Sequence, residues 1–119
     1  MYPIKDFMTT SILSVDSQTF VTEAAKLLST KKISSLLVKE GEEYVGIVTK
    51  TDFFKKLIVE ELDPKTTNIA SVMTKPFFLD ENVQRGEASE FMLRKKSKHF
   101  VVTHAKEVVG ILTTKDMVG

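Results

Sequence analysis

The chain has 119 residues, 17 basic and 16 acidic side chains, a formal net charge of +1 and 42% apolar residues. That make-up fits one soluble domain, or two small units that complete a core together, and it argues against a chain built to coat nucleic acid or an anionic membrane. There is no cysteine, and His99 and His104 are the two histidines, so disulfides and thiol chemistry are excluded and a zinc site would need mostly carboxylate ligands.

In chain order, Ser14-Val15 reads as a short strand and 22–32 as a helix with Ala24, Ala25, Leu27 and Leu28 on one stripe. Ser35 to Lys39 and Tyr44 to Thr49 read as an antiparallel hairpin around the turn Glu40-Gly41-Glu42-Glu43. A second helix is expected over 52–62, with Phe53, Phe54, Leu57 and Ile58 on one side. The polar stretch 63–68, with Pro64, is a linker. A further helix is expected over 87–96, starting late because Gly86 disfavours helix by about 1 kcal/mol relative to Ala. Phe100-Val101-Val102 and Val108 to Thr113 are strands, with His104 in the turn between them. No apolar run nears the roughly 18 residues that span a bilayer. The N-terminus lacks the charged-then-apolar pattern of a secretion signal, so a cytoplasmic location is expected.

The second half repeats the first. Ile4 to Thr9 returns as Ile69 to Thr74, and Glu43 to Thr49 returns 64 positions later as Glu107 to Thr113. Asp16, Glu23, Ala24, Lys31, Lys32, Val38 and Asp52 recur at that same shift as Asp80, Glu87, Ala88, Lys95, Lys96, Val102 and Asp116. The chain therefore divides into a first repeat (1–62), a linker (63–68) and a second repeat (69–119) whose final helix is truncated. A unit this small buries too little apolar surface to be secure alone. The expected fold is α+β: two β-α-β-β-α repeats packed sheet to sheet about a pseudo-twofold axis.

Both repeats carry Gly-x-x-Thr-x-x-Asp where a strand ends and a helix begins: Gly46, Thr49 and Asp52, then Gly110, Thr113 and Asp116. A helix N-terminus favours anions, a threonine hydroxyl can meet a phosphate oxygen, and a carboxylate can accept from both hydroxyls of a ribose. The same residues also make ordinary helix caps. From the residues alone both readings stand.

Taken in this order and twice over, Phe7-Met8-Thr9 and Val72-Met73-Thr74, Glu23-Ala24 and Glu87-Ala88, and the two Gly-x-x-Thr-x-x-Asp segments resemble a tandem pair of CBS domains, the Bateman module. The resemblance covers nearly the whole chain. It implies a regulatory module that binds an adenine nucleotide or adenosyl compound (AMP, ADP, ATP or S-adenosylmethionine) in the cleft between the repeats. It further implies signalling to a separate effector protein by a change of repeat or dimer orientation, and a homodimer. By the same resemblance Asp52 and Asp116 hold ribose hydroxyls, and Thr49 and Thr113 sit near ribose or phosphate. Ser34 and Ser35 in the first repeat, and Lys98 and His99 in the second, occupy the phosphate-facing positions, where family members often carry basic residues. Ile12 and Phe77 fall in the segments that line the base slot.

Other functions find less support. No metal-ligand spacing and no evident nucleophile–base pair occurs in the sequence, so neither an enzyme nor a cofactor is expected. The basic run Arg94 to His99 suits a solvated helix end, and a role in nucleic-acid binding would be at odds with the near-neutral chain and the absence of interleaved aromatics. The main alternative is a structural dimerisation module without ligand.

Overall fold

The computed structural model describes residues 2–118; Met1 and Gly119, the outer limits of the two repeats, lie outside the described residues. The chain forms two compact units, one of Leu13–Lys75 and one of Met1–Ile12 with Pro76–Gly119.

In the unit Leu13–Lys75, β1 (Ser14–Asp16), α1 (Val21–Lys31), β2 (Ser35–Glu40) and β3 (Glu43–Thr49) follow one another. β1 runs parallel to β2, and β2 pairs antiparallel with β3. Leu36, Val38 and Val48 meet Val21, Ala24 and Leu28 of α1 in a buried core. Side chains alternate along a strand, so Ser35, Leu37, Ile47 and Thr49 face the other way. No side chain caps the start of α1. The linker does so instead: Val21 and Thr22 donate their N–H groups to the carbonyls of Thr67 (2.9 Å) and Pro64 (3.1 Å), filling two of the positions a helix start leaves empty. The helix ends one residue before Lys32, which turns left-handed (φ 54) while Ile33 donates to the Leu28 carbonyl at 3.2 Å.

The next helix departs from expectation. α2 (Lys50–Phe53) begins two residues before Asp52, because Thr49 is the cap and Asp52 lies in the first turn. It continues as a π-helix over Phe54–Val59 and ends short of Leu62. Phe53 and Leu57 pack on the core, but Phe54 and Ile58 are each 65% exposed. Neighbouring helical positions point about 100° apart, so a narrow contact seats one i, i+4 pair and turns the next one out.

In the other unit, β4 (Phe78–Asp80), α3 (Arg85–Lys95), β5 (His99–His104) and β6 (Glu107–Thr113) repeat the pattern, followed by α4 (Thr114–Val118). The pairing is again parallel then antiparallel. Phe100, Val102 and Leu112 join Ala88 and Met92 in the core, and Ile4 joins them from the chain's opening segment. That segment caps α3, since Arg85 donates to the Tyr2 carbonyl at 2.8 Å. The late start expected at Gly86 does not occur. α3 begins at Arg85, which puts Gly86 in the first turn, where the penalty for an interior glycine does not apply in full. His104 is not in the turn either. It ends β5 and pairs with Glu81, while Ala105 and Lys106 make the turn, both at positive φ (48 and 72).

The compact units and the sequence repeats are cut at different places. Thr9 of the first repeat bridges to Ile111 on β6, and Thr74 of the second bridges to Ile47 on β3. Each repeat's opening segment therefore serves the other repeat's sheet. No helix among the described residues is long and apolar enough to cross a membrane.

Candidate functional site

The Gly-x-x-Thr-x-x-Asp motif owes its glycine to the Met-Thr segment. A Cβ on Gly46 would stand 2.3 Å from Met73 Sδ, and one on Gly110 would stand 2.7 Å from Met8 Sδ and 2.8 Å from the Thr9 carbonyl. Only glycine lets β3 and β6 lie this close to the methionines. The close approach also delivers a threonine to the junction, and there the two units differ.

In the first junction, Asp52 Oδ2 accepts from the Thr49 N–H (2.8 Å) and the Thr49 hydroxyl (3.1 Å), and Thr49 Oγ1 accepts from the Asp52 N–H (3.3 Å). Asp52 Oδ1 accepts from the Thr74 hydroxyl at 2.9 Å. In the second, Asp116 Oδ2 accepts from the Thr113 N–H (2.8 Å), and Thr113 Oγ1 accepts from the Asp116 N–H (3.2 Å). A carboxylate has about four acceptor positions. Among the described residues, these bonds fill three such positions on Asp52 and one on Asp116. Both carboxylates are half-buried.

The strand register brings further residues to these junctions. Ser35 lies directly opposite Thr49, and His99 directly opposite Thr113, so each pair shares the sheet face turned away from the helix layer. Ser35 is buried and His99 half-buried, and each opens its strand. Ser97 braces the entry to β5, donating its hydroxyl to the His99 carbonyl at 3.0 Å. Ser34 and Lys98 are exposed, and Lys98 lines a groove beside α3 and α4 instead of sharing the His99 face. Ile12 is half-buried, one residue before Leu13, whose carbonyl accepts from Leu37 at 3.0 Å. Phe77 packs with Phe100 (ring centroids 5.6 Å apart) and Phe91 (6.5 Å), and Lys95 lies over its ring. Arg94 and Lys95 both lie over Phe91, so two members of the basic run rest on aromatic rings. Thr74 is the residue that motif spacing did not single out for the site. It follows Met73, and its role depends on a partner 22 positions away. Among the described residues no cluster of His, Asp and Glu could hold a metal ion.

The CBS domain model matches residues 4–59 and 69–119. The chain belongs to the CBS domain family. The CBS domain-containing protein CBSCBSPB1 of Arabidopsis thaliana is 30% identical over 111 residues, covering 92% of this chain and 20% of that protein. The chain spans about a fifth of the length of that protein and of similar Arabidopsis relatives. An uncharacterized conserved protein from Pyrococcus horikoshii superposes with a TM-score of 0.91 at 30% identity, covering 98% of this chain and 89% of that one. A structure of CBSX2 in complex with AMP superposes with a TM-score of 0.81 at 25% identity, covering 99% and 94%. Two tandem CBS domains, each a three-stranded sheet with helices, thus account for nearly all of the chain.

Proposed function

We propose that this CBS pair is a regulatory module that binds an adenine nucleotide or adenosyl compound and signals to a separate effector protein through the conformational population the ligand stabilises. The observation that carries this reading is the doubled Thr–Asp junction, where a half-buried carboxylate keeps acceptor capacity at a strand end. A ribose diol is a matched pair of donors for such a group. Support comes from the similar CBSX2, which was solved with AMP. In this reading Asp116 and Thr113 take the ribose, His99 meets phosphate from the facing strand, and Lys98 adds positive charge nearby. Asp52, Thr49, Ser34 and Ser35 form the less basic counterpart, and the segments of Ile12 and Phe77 flank the base. The module works in the cytoplasm, as a homodimer and without catalysis.

Titration of the purified chain with AMP, ADP, ATP and S-adenosylmethionine by calorimetry tests this. At least one is expected to bind in the submillimolar range, and failure of all four would end the proposal. A second reading, a ligand-free dimerisation module, is favoured by one observation: both Thr–Asp pairs already satisfy each other as caps. Under that reading no nucleotide raises the melting temperature.

A further inference from the structure

Asp52 and Asp116 differ in how many more donors each can take. A carboxylate oxygen accepts about two hydrogen bonds. On Asp52, Oδ2 takes both, from the Thr49 N–H and the Thr49 hydroxyl, and Oδ1 takes one, from the Thr74 hydroxyl at 2.9 Å. On Asp116, the Thr113 N–H bonds Oδ2, and no bond to Oδ1 occurs among the described residues. A ribose diol brings two donors to one carboxylate. Asp116 has room for both as it stands, whereas Asp52 has about one position left.

The difference does not lie in the backbone. Thr74 exchanges two backbone bonds with Ile47, and Thr9 exchanges the same two with Ile111, all at 2.9 Å. Ile47 stands as far before Asp52 as Ile111 does before Asp116. Both threonines are exposed. Among the described residues, Thr74 turns its hydroxyl onto the aspartate and Thr9 does not. A threonine side chain moves between discrete staggered positions, so rotation about the Cα–Cβ bond makes or breaks this contact. Thr49 is tied more firmly, because its Oγ1 also accepts from the Asp52 N–H at 3.3 Å and so holds the cap. The Thr74 hydroxyl makes no second bond among the described residues.

We infer that Thr74 is an internal competitor at the first junction: its hydroxyl occupies the place of a ligand hydroxyl on Asp52, and a ribose is received there in full only after Thr74 rotates away. The inference rests on the nucleotide reading above and adds a regulation to it. The second junction fills first, and the first fills at higher ligand concentration. A released Thr74 hydroxyl turns to water, so the step needs no change of backbone.

Calorimetric titration with AMP, ADP, ATP and S-adenosylmethionine tests it on Asp116→Ala, where only the first junction remains, and on the same chain with Thr74→Val added. Circular dichroism checks that both fold. Thr74→Val is expected to tighten binding about fivefold, in line with the strength of the bond removed, while lowering the melting temperature. That split is foreign to a purely structural bond. Thr74→Ser keeps the hydroxyl and should leave the affinity as it was. Unchanged affinity in Thr74→Val overturns the inference, and so does weaker binding, the mark of a residue that helps hold the ligand. If Asp116→Ala does not fold, Thr74→Val alone gives the reading: the weaker of two binding steps should tighten, and an unmoved weaker step overturns the inference. Three-bond couplings to the Thr74 methyl carbon should report one rotamer in the free chain and another at saturation; the same rotamer in both overturns it. Failure of all four compounds to bind any of these chains or the wild type defeats the nucleotide reading and the inference with it, an outcome distinct from binding that Thr74→Val leaves unmoved.

Discussion

The junctions at Asp52 and Asp116 come from one repeated motif but are held differently. Asp52 is tied by Thr49 and by Thr74, so three of its acceptor positions are filled. Asp116 has one bond from Thr113 and faces a strand that opens with His99 instead of a serine. The two repeats share the cap and differ in the chemistry around it. Among the described residues the first junction keeps fewer acceptor positions open and faces Ser35, while the second keeps more open and faces His99. Under the proposed reading, the first junction serves mainly stability and the second mainly the ligand.

The largest expected effect bears on that division. Asp116→Asn removes charge-assisted hydrogen bonds and should weaken nucleotide binding about 10- to 100-fold. Asp52→Asn should change affinity less and melting temperature more. Calorimetry and thermal melts on both variants would break the comparison if the order were reversed. Next come the glycines. Gly46→Ala and Gly110→Ala should each cost about 1–3 kcal/mol through overpacking, read by urea unfolding. Met73→Ala should relieve most of Gly46→Ala, removing the 2.3 and 2.7 Å contacts and leaving the Met73 Cβ at 2.9 Å. Met8→Ala should relieve Gly110→Ala only in part, because the Thr9 carbonyl remains 2.8 Å away.

Smaller effects sharpen the same contrast. Thr74→Val removes the bond to Asp52 and should cost about 1 kcal/mol. Thr9→Val, at the matching position, should stay within about 0.5 kcal/mol. The hairpin turns differ as well. Gly41 supplies a positive φ of 62 in the first, while Ala105 and Lys106 strain to do so in the second. Replacing Ala105-Lys106 by Asn-Gly should stabilise the fold by about 1 kcal/mol, and Gly41→Ala should destabilise it by a similar amount. Thermal unfolding measures both.

Much of the site was legible because its geometry is local. Thr49 and Asp52 meet three positions apart across a helix start, and the hairpin sets Ser35 against Thr49 once its turn is placed. What spacing missed was non-local. Thr74 reaches Asp52 from the next repeat, and His104 leaves the turn to pair with Glu81. The expected four-residue face of α2 failed for a related reason. Hydropathy marks Phe53, Phe54, Leu57 and Ile58 alike, and only the width of the contact with the core decides which pair is buried.

By itself the sequence determined the duplication, read from a constant shift of 64 residues, and the order of strands and helices, which follows from neighbours a few residues apart; it left the Thr–Asp junctions open between cap and ligand site. Only tertiary structure decided which sheet each Met-Thr segment joins. Ile4 to Thr9 and Ile69 to Thr74 carry nearly the same local pattern, so either could dock beside either Gly-x-x-Thr strand on local preference alone. The choice is made by long-range packing: Ile4 is buried in the core of α3, and Ile69 in that of α1. Each segment also leaves a methionine against the glycine of the other repeat.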